Sequence, residues 1–193
     1  MHATLRRAVS AWDPEQYLEF AGERLRPALD LLARISLARA EVVYDLGCGT
    51  GLATELLARR WHGARVAGVD SSPEMLVRAR ARPGIEWTLA ELATWRPPAP
   101  ADLLFSNAAL HWLPDHARLL PRLLSELRAG GILALQMPRN FAAPSHALLT
   151  ETARQGPWAK RLAPLLRETP VAEPAAYWRW LAPHASSLEI WET

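Results

Sequence analysis

The segment Val43-Tyr44-Asp45-Leu46-Gly47-Cys48-Gly49-Thr50-Gly51 constrains this chain more than any other. A short apolar run ends in an acid and three alternating glycines, and helical spacing resumes from Gly51 to Trp61. This is the pattern of a strand, a tight loop and a helix. Glycines at such a loop let the backbone pass close to a ligand, and the helix that follows presents free N–H groups. A dinucleotide loop would read G-x-G-x-x-G. Here Gly47, Gly49 and Gly51 follow G-x-G-x-G, with Leu52 where the third glycine of that motif belongs. No Gly-Lys-Ser/Thr follows, which excludes a P-loop. Asp45, just ahead of the loop, repels a phosphate and attracts a cation.

The rest of the chain repeats the alternation. Leu25 to Arg39 reads as an amphipathic helix, with Leu25, Leu29, Leu32 and Ile35 at helical spacing. Strands are expected at Glu41–Leu46, Arg65–Val69, Ile85–Leu89, Asp102–Ser106 and Ile132–Met137. Ser72-Pro73-Glu74 opens a helix, with Ser72 as N-cap and Pro73 at the first helical position. Leu119 to Leu127 reads as helix, Ala129-Gly130-Gly131 as a turn, and Leu188 to Glu192 as a sixth strand. Alternating strands and helices imply parallel βαβ units, and strands covered on both faces explain their nearly continuous apolar character. The expected class is α/β, a doubly wound, mostly parallel sheet. Pro138 to Pro183, rich in Pro, Trp and Arg, is expected to form a small helical cap. The expected division is residues 1–30 as an amino-terminal lid, 31–141 as the core, and 142–193 as the cap with the sixth strand.

Composition narrows the function. Half of the 193 residues are hydrophobic and 22% are charged, enough to bury a core and to exclude a wholly disordered chain. No run approaches the ~18 apolar residues of a membrane span. Met1 to Ser10 has no apolar core behind Arg6 and Arg7, so it does not read as a secretory signal. Cys48 is the only cysteine, which excludes an internal disulfide and a zinc site built on cysteines and suits a reducing cytoplasm. No metal centre is expected. All but one of the 22 basic residues are arginine, yet they are scattered, without the basic stripe of a nucleic-acid binder. The nine tryptophans suit core filling, and as a group also a site with large apolar walls.

Further acids and loops fit the first motif. Asp70 ends the second strand, nineteen residues after Gly51, where a carboxylate can take both hydroxyls of a ribose. Glu91 follows the third strand and could accept from an adenine amino group. The fourth strand runs into Asn107, His111 and Trp112, and loops at strand carboxyl ends are where open α/β sheets bind ligands.

Asp45-Leu46-Gly47-Cys48-Gly49-Thr50-Gly51, Val69-Asp70-Ser71-Ser72-Pro73-Glu74-Met75 and Ser106-Asn107-Ala108-Ala109-Leu110-His111-Trp112 resemble S-adenosylmethionine-dependent methyltransferases of the Rossmann-like class. Trp12-Asp13-Pro14-Glu15-Gln16-Tyr17-Leu18, Trp95-Arg96-Pro97-Pro98, Trp112-Leu113-Pro114-Asp115-His116 and Gln136-Met137-Pro138-Arg139-Asn140 resemble the branch that methylates trans-aconitate. The resemblance implies a Rossmann-like fold with an amino-terminal lid helix. It also implies S-adenosyl-L-methionine as cofactor and S-adenosyl-L-homocysteine as product. Gly47, Gly49 and Gly51 would bend around the methionine part, with Asp45 near its amino group. Asp70 and Ser71 would lie at the ribose, and Glu91 would meet the adenine in place of the family's usual aspartate. Met75 and Leu92 would sandwich the ring, and Asn107 would line the methionine and substrate side. Tyr17, Phe20 and Arg24 would cover the site. His111 stands where the family often has glutamine.

The implied activity is O-methylation of a small di- or tricarboxylic acid such as trans-aconitate. A carboxylate is ionised at neutral pH, which fits the absence of a nucleophile–base pair. Such an acid needs a cationic clamp, for which arginine forks are best suited. Arg24, Arg139, Arg154, Arg161 and Arg179 are candidates, each outweighed singly by a surface role. Asn107, His111 and Arg139 are the catalytic candidates, and Tyr17, Phe20, Arg24, Trp112, Arg139 and His146 the substrate-side ones. The expected partner is the acid alone, with no nucleic acid and no membrane, in a monomer or homodimer. The rival readings are a methyltransferase for another acceptor (an acyl-carrier thioester, a natural product or RNA) and a cofactor-binding domain without activity. The family's core sheet has a seventh, antiparallel strand. None is expected before Thr193, so the fifth strand is expected to lose its usual neighbour, as in a shortened chain.

Overall fold

The computed structural model describes residues 21–166 and 171–193. Helix α1 (Ala21–Arg34) precedes strand β1 (Val42–Leu46), which feeds through the glycine loop into α2 (Leu52–Arg60). Then come β2 (Arg65–Asp70), α3 (Pro73–Ala79), β3 (Glu86–Leu89) and β4 (Ala101–Asn107). A 3₁₀ turn at Leu110–Trp112 leads to α4 (His116–Ser125) and β5 (Leu127–Gln136). After β5 come α5 (Pro144–Gln155), α6 (Ala159–Leu162) and α7 (Pro174–Leu181). The five strands form one parallel sheet in the order β3-β2-β1-β4-β5.

Alternation along each strand divides the core in two. Val43, Val66, Leu103, Phe105 and Ala134 face α1 and α2, where Ala28, Leu31, Ile35, Leu57 and Trp61 close over them. Tyr44, Leu46, Ala67, Val69 and Leu104 face the other way, toward Leu119, Leu120 and Leu123 of α4 and Tyr177 and Leu181 of α7. Burial on both faces accounts for the lack of polar alternation in the sequence. The strand order reverses between β1 and β4, and such switch points place a crevice beyond the strand carboxyl ends.

Four expected boundaries differ. The first helix stops at Arg34 rather than Arg39, because the Arg60 guanidinium takes the carbonyls of Leu32 and Ile35 and the Trp61 indole donates to Leu37 O (3.2 Å). Expected helix Leu119–Leu127 instead runs from His116, after the left-handed Asp115 (φ 56°), to Ser125. The expected turn at Ala129–Gly131 lies inside β5. There the pairing jumps from Ala101 with Leu127 to Leu103 with Ile132, so the extra residues form a bulge. Gly131 fits that bulge because a Cβ would lie 2.9 Å from the carbonyl oxygen of Ala101. Finally, Leu188–Glu192 is not a strand. Its side chains hold it instead: Leu188 packs on the α4 and α7 side, Trp191 on the α1 and α2 side under Arg34 (4.3 Å), and Glu192 accepts from Arg139 (2.5 Å). β5 is therefore an edge of the described sheet. No described helix is long and apolar enough to cross a membrane.

Candidate active site

A cleft of about 260 Å³ opens beyond the carboxyl ends of β1, β2 and β4. The glycine loop forms its floor. Gly47 N and Cys48 N both donate to Val69 O (2.8 and 3.1 Å), which folds the loop back over the end of β2. Gly47, Gly49 and Gly51 all have left-handed backbones (φ 76°, 54° and 81°), for different reasons. A Cβ on Gly47 would lie 2.1 Å from Ala109 Cβ, and one on Gly51 would lie 2.5 Å from the Trp87 ring. Those two glycines permit close packing. Gly49 has nothing within 4 Å of such a Cβ and is the glycine with room above it. Gly51, unlike the other two, does not line the cleft.

Asp70 and Ser71, at the end of β2, both line the cleft. The Asp70 carboxylate ties two backbone segments together, accepting from Gly49 N (2.7 Å) and from Ser72 N (2.8 Å). Each oxygen keeps a further lone pair. Ser72 caps α3 as expected, accepting from Met75 N (3.2 Å), and thereby sets Met75 in the wall. Glu91 and Leu92 line the opposite side. Their loop is fixed by Arg122 of α4, which donates to Leu92 O and Trp95 O (both 3.0 Å). Arg122 carries no local sequence signal, since its partners lie about 30 residues away.

Asp45 lines the cleft yet is only 1% exposed. Burial pushes its carboxyl up to about 7; the Thr54 hydroxyl donates to it (2.6 Å) and opposes the rise, while the nearby Asp70 charge adds to it. Between the usual carboxylate range near 4 and about pH 7, the folded chain holds a proton that the unfolded chain has released. Stability therefore falls as pH rises through that window and levels off above it. Asp45→Asn does not titrate and keeps an acceptor for Thr54. The cofactor-free variant is expected to lose this slope and to exceed the parent above pH 7 by a few kcal/mol. Calorimetric melting at pH 5 to 8 checks this; parallel slopes in both proteins would refute it.

Asn107 lines the cleft with its Oδ1 buried and unpartnered, and Ala108, Ala109, Trp112 and Leu113 continue the wall. Gln136, paired with Asn107 in register, also has a buried, unpartnered Oε1, as does Thr50 at its Oγ1. The sequence reading overlooked Thr50, Thr54 and Gln136. Thr54 had one signal, its place in the first turn of the helix after the loop.

Other candidates lie elsewhere. His111 does not line the cleft; it is 7% exposed behind the wall, its ring against Trp112 (4.8 Å) and Phe141 (6.4 Å). His146 stands beyond Phe141 (6.0 Å), also outside the cleft lining. Arg139 pairs with Glu173 (2.7 Å) and Glu192 (2.5 Å) rather than facing the cleft. Arg154, Arg161 and Arg179 are exposed and outside it. Tyr17 and Phe20 lie outside the described residues, as does the Arg24 side chain; the next residue, Leu25 of α1, lines the cleft. The described lining thus carries three carboxylates, Asp45, Asp70 and Glu91, and no Arg, Lys or His. Cys48 also lines it, but burial pushes its thiol up, which makes it a poor nucleophile.

Such a cleft suits a cationic ligand with polar and flat apolar parts, and comparison with known proteins agrees. A family profile described as a methyltransferase domain matches residues 43–131. A trans-aconitate 2-methyltransferase of Azoarcus sp. (strain BH72) is 57% identical over 94% of this chain and 72% of its own length. The enzyme of that name from Escherichia coli O7:K1 is 45% identical over 96% and 72%. A solved S-adenosylmethionine-dependent methyltransferase from Mesorhizobium loti is 33% identical with a TM-score of 0.54. That match covers 63% of this chain and 57% of the solved one. Identity at this level across nearly the whole chain and 72% of the relatives' own length means that the chain belongs to the trans-aconitate 2-methyltransferase family of S-adenosylmethionine-dependent methyltransferases.

Proposed function

We propose that the chain methylates a carboxylate of trans-aconitate, or of a closely similar small acid, yielding a methyl ester and S-adenosyl-L-homocysteine. The observation that carries this reading is the 57% identity to a trans-aconitate 2-methyltransferase over 94% of the chain. The cleft fits the cofactor. Its three acids match a cation, Gly49 leaves room for a ligand at the loop, and the unpartnered Thr50 Oγ1 and Asn107 Oδ1 are polar groups for a ligand to satisfy.

When bound, S-adenosylmethionine supplies a methyl carbon made electrophilic by its sulfonium. Asp70 holds the ribose hydroxyls, Met75 and Leu92 flank the adenine, Glu91 accepts from its amino group, and Asp45 pairs with the ammonium group of the methionine part. Asn107 orients the reacting end. An acid acceptor arrives already ionised, so no residue removes a proton from it. The contribution of the chain is alignment of the two reactants, worth several kcal/mol of barrier. No described lining residue offers the acid a cation; the side chain of Arg24, one of the clamp candidates, lies outside the described residues. The buried single cysteine supports a cytoplasmic site of action, and a small acid requires no macromolecular partner, whether the enzyme is a monomer or a homodimer.

Methyl transfer from radiolabelled S-adenosylmethionine, measured across a panel of acids, tests the reading. The expected result is label in a base-labile ester of trans-aconitate, with at least tenfold lower kcat/KM for monocarboxylic acids. Label transferred only to an amine, thioester or RNA would overturn the acceptor. Cofactor binding with no transfer would leave the chain a binding domain.

A further inference from the structure

We propose that the buried Asp45 carboxyl carries a proton in the cofactor-free enzyme and releases it when the ammonium end of the cofactor binds, and that Thr54 is a positioning residue that eases this release by donating to the carboxylate. The inference rests on the proposed cofactor site and goes beyond it to a proton linkage and the residue that sets it.

The geometry is specific. Asp45, near the end of β1, and Thr54, in the first turn of α2, are 1% and 0% exposed, and the Thr54 Oγ1–H donates to Asp45 Oδ2 at 2.6 Å. The charged and titratable groups that line the cleft with Asp45 are of one sign, and Asp70 is the one whose charge acts on it. Asp70 comes from β2 and Glu91 from the loop after β3, and the Cys48 thiol lies in the glycine loop. β1 is flanked at this level by Gly68 and Phe105, and α1 contributes Leu25 to the cleft. No cation among the described lining residues compensates a carboxylate there. A buried carboxyl without a cation keeps its proton, because an unpaired buried charge costs far more than a neutral group. One neutral hydroxyl donor lowers that cost without cancelling it. The group is thereby poised near neutrality rather than locked in the acid form, as burial and the single donor together indicate.

Binding then exchanges one charge state for another. The O–H bond of the Asp45 carboxyl breaks, the proton leaves to solvent, and the carboxylate pairs with the incoming ammonium. Loss of the Thr54 donor destabilises the carboxylate and moves this exchange to higher pH. It does not touch the cofactor, so the effect acts through Asp45.

The test is isothermal titration calorimetry of S-adenosylhomocysteine, which keeps the ammonium group, in buffers of different ionisation enthalpy between pH 5.5 and 8.5. The native chain is expected to release close to one proton at pH 6 and almost none at pH 8.5. Its affinity is expected to rise toward tenfold per pH unit below about 7, then flatten. Thr54→Val is expected to move the midpoint up by about half to one pH unit, and Thr54→Ser to restore it. Asp45→Asn is expected to abolish the linkage. The proposal falls if the native chain binds without releasing a proton, if release persists in Asp45→Asn, or if Thr54→Val leaves the midpoint in place. Failure of the native chain to bind S-adenosylhomocysteine at any pH would overturn the cofactor site itself, a different and separable result.

Discussion

Asp70→Ala is expected to weaken S-adenosylhomocysteine binding by about a hundredfold or more. Two effects add. The carboxylate is assigned to two ribose hydroxyls, and hydrogen bonds to a charged group are each worth roughly 1.5–3 kcal/mol, where every 1.4 kcal/mol is a tenfold change. The same oxygens also hold Gly49 N and Ser72 N, so their loss frees the glycine loop from the turn before α3. An analogue lacking one ribose hydroxyl separates the contributions. The native chain is expected to bind it at least tenfold more weakly than S-adenosylhomocysteine, and Asp70→Ala to bind both alike. A preference that survives the substitution would remove Asp70 from the ribose and leave it only the loop. Asp70→Asn is not expected to rescue, since its amide N–H₂ would face a backbone donor.

Gly47→Ala is expected to cost a few kcal/mol of stability, about 5–10 °C in melting temperature for a chain of this size. The left-handed backbone (φ 76°) costs a side-chain-bearing residue roughly 1–3 kcal/mol. The new Cβ also meets Ala109 Cβ at 2.1 Å, and overpacking of this kind typically costs 1–3 kcal/mol more. Ala109→Gly in the same chain removes the collision and leaves the backbone strain, so it is expected to recover part of the loss. Melting of the two single variants and the double variant checks this, and full additivity would show that the contact does not carry the effect. Gly49→Ala meets no neighbour; with the same backbone strain it is expected to be the milder change for the fold, although its site faces the ligand.

The contrast among these three glycines marks how much of the site was legible in the sequence. The alternation of apolar runs with helical spacing, the loop after β1, the acid at the end of β2 and the Ser72-Pro73 helix start are local patterns. Backbone stereochemistry and capping act over a few residues, so they can be read from neighbours in the chain. Such patterns singled out Asp45, Gly47, Gly49, Asp70, Glu91, Asn107 and Trp112, and the family resemblance added Ser71, Met75 and Leu92; all ten line the cleft.

What the tertiary structure alone decided depends on residues far apart in the chain. Arg60, remote in the chain, caps the end of α1 by donating to the carbonyl of Leu32 and to that of Ile35 just beyond it. Ala109 and Trp87 dictate which glycines are steric necessities. Arg139, legible as a free cation, is neutralised by Glu173 and Glu192. His111, legible as a site residue, is buried in the 3₁₀ turn after β4 with its ring near those of Trp112 and Phe141. Leu188–Glu192 has the apolar character of a strand, but Leu188, Trp191 and Glu192 anchor it by side chains in place of a ladder. A residue's type and spacing specify what it is able to do; the partner that it meets across the fold specifies which of those things it does.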